Sequence, residues 1–102
     1  MELLEKKNYF IQLFDLYGSI LTKNQIEYFK YYFEEDLTLN EIAILNGKTK
    51  SASFDAIDKI CKYLENYEEK IGMLKYKVKK NELVEKYLET KNEKLLEELK
   101  EL

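Results

Sequence analysis

The residues of this chain that could do chemistry are of few types. Seventeen lysines supply every positive side chain, against twenty aspartates and glutamates. There is no histidine, arginine or tryptophan, and one cysteine, Cys61. Without histidine, the usual proton donor and acceptor near neutral pH is missing. One cysteine and no histidine exclude a zinc site of the ordinary ligand set. Gly18, Gly47 and Gly72 stand alone, so there is no glycine-rich phosphate loop. The run Glu34-Glu35-Asp36 is a poor metal site, because three consecutive side chains do not converge. Cys61 lies near Ile57, Ile60 and Leu64 and reads as a buried thiol, with no histidine or helix N-terminus to ionise it. The chemistry that remains is ionic contact, lysine against phosphate. Neither an enzyme nor a cofactor is expected.

Two groups of residues could make such contacts. The first is Lys48, Thr49, Lys50 and Ser51. The second is Lys75, Lys77, Lys79 and Lys80, which place four positive charges in six residues with no acid among them and Tyr76 between. This second cluster reads either as a phosphate-contacting surface for RNA or DNA, or as a solvated face balanced by the acidic end of the chain. Residues 47–80 carry nine lysines against five acids, a net of +4, while residues 1–46 and 81–102 carry net charges of −4 and −3. The middle third alone has a basic balance. Tyr28, Phe29, Tyr31, Tyr32 and Phe33 could stack on bases, but aromatics at helical spacing more often bury area in a core.

These groups must be positioned by helices. The chain of 102 residues suits one all-α domain, 1–102, with one modest core. No apolar run approaches the roughly 18 residues of a membrane span. The start, Met1-Glu2-Leu3-Leu4-Glu5-Lys6-Lys7, lacks the pattern of a secretory leader. With a single cysteine, this points to the cytoplasm. Phe10, Leu13, Phe14, Tyr17, Ile20 and Leu21 recur at spacings of three and four and predict a first helix. Three capping boxes, beginning at Thr22, Thr38 and Thr90, each with Gln or Glu three residues on, predict helix starts. The second helix is expected over about 23–33, with Ile26, Phe29, Lys30 and Phe33 on its core face. The third spans 39–46 and stops at Gly47, and the fourth begins after Thr49.

From there the pattern is the most regular in the chain. Ile57, Ile60, Leu64, Tyr67, Ile71, Leu74 and Val78 are spaced alternately by three and four. This heptad seam predicts one long helix, or two nearly collinear ones broken near Gly72. A seam of that length exceeds what the N-terminal helices can cover, so a homodimer through it is expected. On a continuous helix at about 1.5 Å per residue, Lys77 would lie about 40 Å from Lys50. Asp55 and Lys59, and likewise Asp58 and Lys62, are four apart and can pair on the helix surface.

The short capped helix, the glycine, the brief turn and the longer helix have the layout of a helix-turn-helix, over about 39–64, with a helical extension over about 65–102. Here the chain resembles the YlxM family of small bacterial proteins, whose helix-turn-helix is similar to that of sigma factor region four. The resemblance rests on Leu21-Thr22-Lys23-Asn24-Gln25, on Tyr31-Tyr32 with Asp36-Leu37-Thr38-Leu39-Asn40-Glu41-Ile42-Ala43, and on Phe54-Asp55-Ala56-Ile57. It continues through Leu64-Glu65-Asn66-Tyr67-Glu68 and Lys70-Ile71-Gly72-Met73. It implies an all-helical regulatory protein that dimerises through its C-terminal helices, binds DNA and is linked to the signal recognition particle pathway. The other function in view is an adaptor that binds the particle's RNA or protein and keeps the fold without reading DNA. Where the family usually has Gly-Val-Ser-Arg-Gln-Ala-Val, this chain has Gly47-Lys48-Thr49-Lys50-Ser51-Ala52-Ser53. Lys48 and Ser53 thus take positions that are normally apolar. Lys50 replaces an arginine and forfeits a planar bidentate contact worth about 1–3 kcal/mol of base discrimination.

Overall fold

The computed structural model describes residues 3–102; Met1 and Glu2, and with them part of the stretch read for a leader, lie outside the described residues. The architecture is all-α. Helix α1 (Leu3–Tyr17) passes through a 3-10 turn (Gly18–Ile20) to α2 (Lys23–Phe29), which widens into a π-helical turn (Lys30–Glu34). Then come α3 (Leu39–Asn46), α4 (Lys50–Ile71), α5 (Met73–Thr90) and α6 (Lys94–Lys100). No described helix is long and apolar enough to cross a membrane.

The starts of α2 and α3 follow from their capping boxes. Thr38 Oγ1 accepts from the Glu41 amide at 3.1 Å, while Glu41 Oε1 accepts from the Thr38 amide at 3.0 Å. Thr22 and Gln25 make the same exchange. Thr90 does not start a helix. Its hydroxyl donates back to the Lys86 carbonyl at 2.8 Å, ending α5, and Asn92 Oδ1 accepts from the Lys94 amide at the start of α6. Between these, Lys91 takes the left-handed conformation that closes α5.

The core lies between α1, α2, α3 and the first two-thirds of α4. Leu13, Tyr17, Phe29, Phe33, Ile42, Ile60 and Leu64 are buried in it. Aromatic rings run through its centre: Phe14 stacks on Phe29 at 4.2 Å, and Phe29 on Phe33 at 4.5 Å. The aromatics of α2 therefore build the core rather than a base-stacking surface. Lys30, expected on the core face, is exposed, and Tyr28 packs beside Phe29 in its place. The first helix also stops sooner than its pattern predicts, leaving Ile20 half in solvent.

The heptad seam does not act as one surface. Ile57, Ile60 and Leu64 are buried against the chain's own helices, so this half of the expected dimer seam is intramolecular core. Tyr67 and Leu74 pack on the margin of the same core. Only Ile71, 55% exposed, and Val78, 48% exposed, face solvent. The reason is the break at Gly72, which is left-handed at φ +73° and turns the chain. A residue with a Cβ would be strained there. So the seam forms two helices broken at Gly72, as the second of the two expectations has it, and the spacing given for one continuous helix does not apply.

What fixes the turn is a polar cluster from three helices. The Tyr17 hydroxyl donates to Glu68 Oε1 at 2.7 Å and accepts from the Met73 amide at 2.9 Å. The amides of Leu74 and Lys75 donate to the two oxygens of Glu68 at 2.9 and 3.1 Å. Helix α5 has no side-chain cap of its own; α1 and α4 provide it. Partial burial pushes the Glu68 carboxyl up, but the Tyr17 hydroxyl, the two amides and the nearby Lys75 outweigh this and hold it below the ordinary glutamate value.

Beyond the turn, α5 and α6 pack on each other as an arm, with Leu83 buried and Leu95 and Leu99 half-buried. The arm explains the long outline of 58 × 23 × 20 Å. The radius of gyration is 17.8 Å, whereas a compact chain of this length has roughly 13 Å. Burial divides the seam into residues that hold the fold and residues that do not. Leu64→Ala should cost about 2–5 kcal/mol of unfolding free energy in a urea titration. Ile71→Lys should leave it unchanged within about 0.5 kcal/mol when both chains are measured at a concentration low enough to be monomeric.

Candidate nucleic-acid interface

The corner between α3 and α4 is built from local chemistry. Gly47 is left-handed at φ +62°, and the Lys48 amide reaches back to the Ala43 carbonyl at 2.9 Å, closing α3 in a Schellman turn. Thr49 then caps α4, its Oγ1 accepting from the Ala52 amide at 3.0 Å. The Thr49 hydroxyl is thus engaged in the fold. Lys48, Lys50 and Ser51 are exposed around it, so the structure brings the predicted group together at one helix end.

The opposite face of α4 is locked. Ser53, Ile57 and Ile60 are buried, which sets the rotation of the helix and leaves Lys50, Ser51, Phe54 and Asp55 outward. Ser53 is wholly buried and its hydroxyl has no hydrogen-bond partner among the described residues. It fills a packing position with a polar atom. Phe54 is 55% exposed beside Asp55, so the outward face carries an apolar ring and an acid next to its lysine.

The surrounding charge is acidic. Over residues 34–58, Lys48 and Lys50 stand against six acids: Glu34, Glu35, Asp36, Glu41, Asp55 and Asp58. Asp36 is engaged by Lys7 and Asp58 by Lys62, the latter at 2.8 Å as the spacing predicts. The other predicted pair, Asp55 with Lys59, does not close. Lys59 Nζ instead lies over the Tyr63 ring at 5.6 Å, drawn by its negative face.

The second lysine group is on a different helix. Lys75, Lys77, Lys79 and Lys80 are all exposed on α5, and none pairs with a carboxylate within 4 Å among the described residues. Tyr76, 48% exposed, stands between them. The described residues hold no group of acids and cysteine that could bind a metal ion. Cys61 is half-buried, and burial, with Glu65 and Asp58 nearby, pushes its thiol up to about 12. Glu68 and Tyr17 are what sequence reasoning missed. Their signal was faint: a tyrosine on a core stripe and a glutamate four residues before a lone glycine.

Comparison with known proteins agrees with this corner. Residues 4–102 match the model of the UPF0122 family, described as "Putative helix-turn-helix protein, YlxM / p13 like". The chain belongs to the UPF0122 family. It is 38% identical over 88 residues to a UPF0122 protein of Clostridium acetobutylicum, covering 86% of this chain and 75% of that one. A UPF0122 protein of Ureaplasma urealyticum is 35% identical over 97 residues, 95% of either chain. One from Clostridium perfringens is 37% identical over 93 residues, 86% of this chain and 80% of that one. The match spans the arm as well as the corner, so the UPF0122 unit includes α5 and α6.

The orphaned hydroxyl of Ser53 gives a direct test of packing at the start of α4. Removing a buried polar group that lacks a partner relieves its desolvation cost. Ser53→Ala should therefore raise the thermal midpoint or leave it unchanged in a calorimetric scan, not lower it.

Proposed function

We propose that this UPF0122 member is a non-enzymatic helix-turn-helix regulatory protein of the signal recognition particle pathway that touches DNA through the first turn of α4. The observation that carries the reading is the capped corner. It presents Lys48, Lys50 and Ser51 to solvent at the end of a helix whose other face is locked into the core. The particle pathway enters through the resemblance to the YlxM family, and such a role belongs in the cytoplasm. With lysine in place of arginine and acids close by, the contact is to phosphate more than to base edges. Binding is then weak and steeply dependent on salt. A homodimer is part of the proposal. Its surface is what the fold leaves open, Ile71 and Val78 with Leu88 and Leu96 of the arm.

One observation favours a second reading, an adaptor that binds the particle's RNA or protein. The four lysines of α5 form no ion pair within 4 Å among the described residues and are interleaved with an exposed tyrosine, whereas those of the corner sit among acids. The two readings part in a paired titration by fluorescence anisotropy, against duplex DNA and against the particle's small RNA. For a DNA reader, Lys50→Ala weakens duplex binding several-fold and lowers the salt slope by about one. Changing Lys75, Lys77, Lys79 and Lys80 to glutamine then does little. For an RNA adaptor the effects reverse. If neither variant matters, both assignments fail and a protein partner is indicated. Self-association is read by sedimentation: Ile71→Lys should reduce it, and a wild-type chain monomeric at high micromolar concentration overturns the dimer.

A further inference from the structure

The surface of α5 divides by what lies against it. One side faces the body: Leu74 packs on the core cluster, and Lys75, Val78, Lys79 and Glu82 line a cleft of about 550 Å³ shared with Tyr9 of α1. Another faces α6, with Leu83 buried between the two helices. The remaining side carries Met73, Lys77, Lys80, Val84 and Leu88. Their spacings of four, three, four and four place them within about 80° of arc on a helix. All five are exposed, Leu88 by 59%, and exposed Tyr76 stands at the margin. The acids of α5, Glu82, Glu85 and Glu89, fall together on the opposite half of the helix. Neither Lys77 nor Lys80 pairs with a carboxylate within 4 Å among the described residues.

Apolar and basic side chains on one acid-free face constrain what covers it. A phosphate backbone uses the lysines but leaves Val84 and Leu88 in water. The core of a protein interface uses the apolar chains but is depleted in lysine. Lys77 and Lys80 stand in the middle of the stripe, where burial without an acid is costly. An anionic lipid surface uses both kinds. Apolar side chains enter the headgroup boundary, and a lysine lays its stem along them while its ammonium stays at the phosphates. We propose that this face of α5 adsorbs to an anionic lipid bilayer, lying in the interface plane without crossing it. Met73, Val84 and Leu88 enter the boundary, and Lys77 and Lys80 contact lipid phosphates. Tyr76, apolar in its ring and polar at its hydroxyl, sits at headgroup level. Glu82, Glu85 and Glu89 are turned from a surface of like charge. Adsorption does not depend on what the corner between α3 and α4 contacts.

The test is flotation of the full chain with vesicles of phosphatidylcholine alone and of phosphatidylcholine with about one third phosphatidylglycerol. Protein is kept dilute, because Leu88 also belongs to the surface given above for self-association. Wild type should float with the anionic vesicles and not with the neutral ones. Lys77→Gln with Lys80→Gln should weaken binding about twentyfold, since each lysine near an anionic surface contributes about fivefold. Val84→Gln with Leu88→Gln leaves every charge in place and should weaken binding about tenfold through lost apolar burial. Lys75→Gln with Lys79→Gln, on the side toward α1, should do less than the first pair. All these positions are exposed, so circular dichroism should show wild-type helix content in each variant. No binding to anionic vesicles at low salt, or equal flotation with neutral ones, overturns adsorption. Binding that the Lys77 and Lys80 changes weaken but the Val84 and Leu88 changes leave intact also overturns it, and marks a purely ionic surface of the kind a nucleic acid uses. If the Val84 and Leu88 changes abolish self-association in sedimentation and leave flotation unchanged, the face belongs to a second copy instead.

Discussion

The start of a helix leaves backbone amides without partners, and at the start of α5 the chain cannot satisfy them locally. Gly72 has no side chain to cap with, and a left-handed residue is required there to turn the chain. The requirement is met from elsewhere in the fold. Tyr17 takes the Met73 amide, and Glu68 takes those of Leu74 and Lys75 while accepting the Tyr17 hydroxyl. The arm's direction therefore depends on α1 and α4 being correctly packed. Tyr17 serves twice, with its ring in the core and its hydroxyl at the turn. The amphipathic nature of tyrosine makes this possible, since a phenylalanine would pack but could not bond.

The helix-turn-helix corner depends on a different logic, local at every step. Thr38 starts α3, Gly47 stops it, and Thr49 starts α4, each through backbone bonds within a few residues. Tertiary packing then adds rotation. Because Ser53, Ile57, Ile60 and Leu64 are buried, α4 can present only the face that bears Lys50, Ser51, Phe54 and Asp55. The face so presented is mixed in character. An apolar ring and an acid thus stand beside Lys50, whereas the lysines of α5 form no ion pair within 4 Å among the described residues.

Several features were legible beforehand because they are short-range. The caps at Thr22, Thr38 and Thr49, the stop at Gly47, the ion pair of Asp58 with Lys62 and the core role of the α2 aromatics each depend on residues three or four apart. Other short-range patterns misled. Thr90 has the letters of a capping box, but its hydroxyl bonds backward to Lys86. Lys59 has Asp55 at the right spacing, yet its ammonium lies over the ring of Tyr63. In each case more than one local partner is within sequence reach, and periodicity does not rank them.

By itself, the sequence determined the all-α class, the helix-turn-helix corner and a set of positive side chains made of lysine alone, since all of these follow from residue types and near-neighbour spacing. Only the tertiary structure decided how the heptad seam is divided. A run at alternating spacings of three and four states that a helix has an apolar face, not what covers it. The fold assigned Ile57, Ile60 and Leu64 to the chain's own core and left Ile71 and Val78 in water, because the chain turns at Gly72. It likewise brought Tyr17 to Glu68, fifty-one residues apart, and no spacing rule reaches that far. Contacts of that range exist only once α1 and α4 lie side by side.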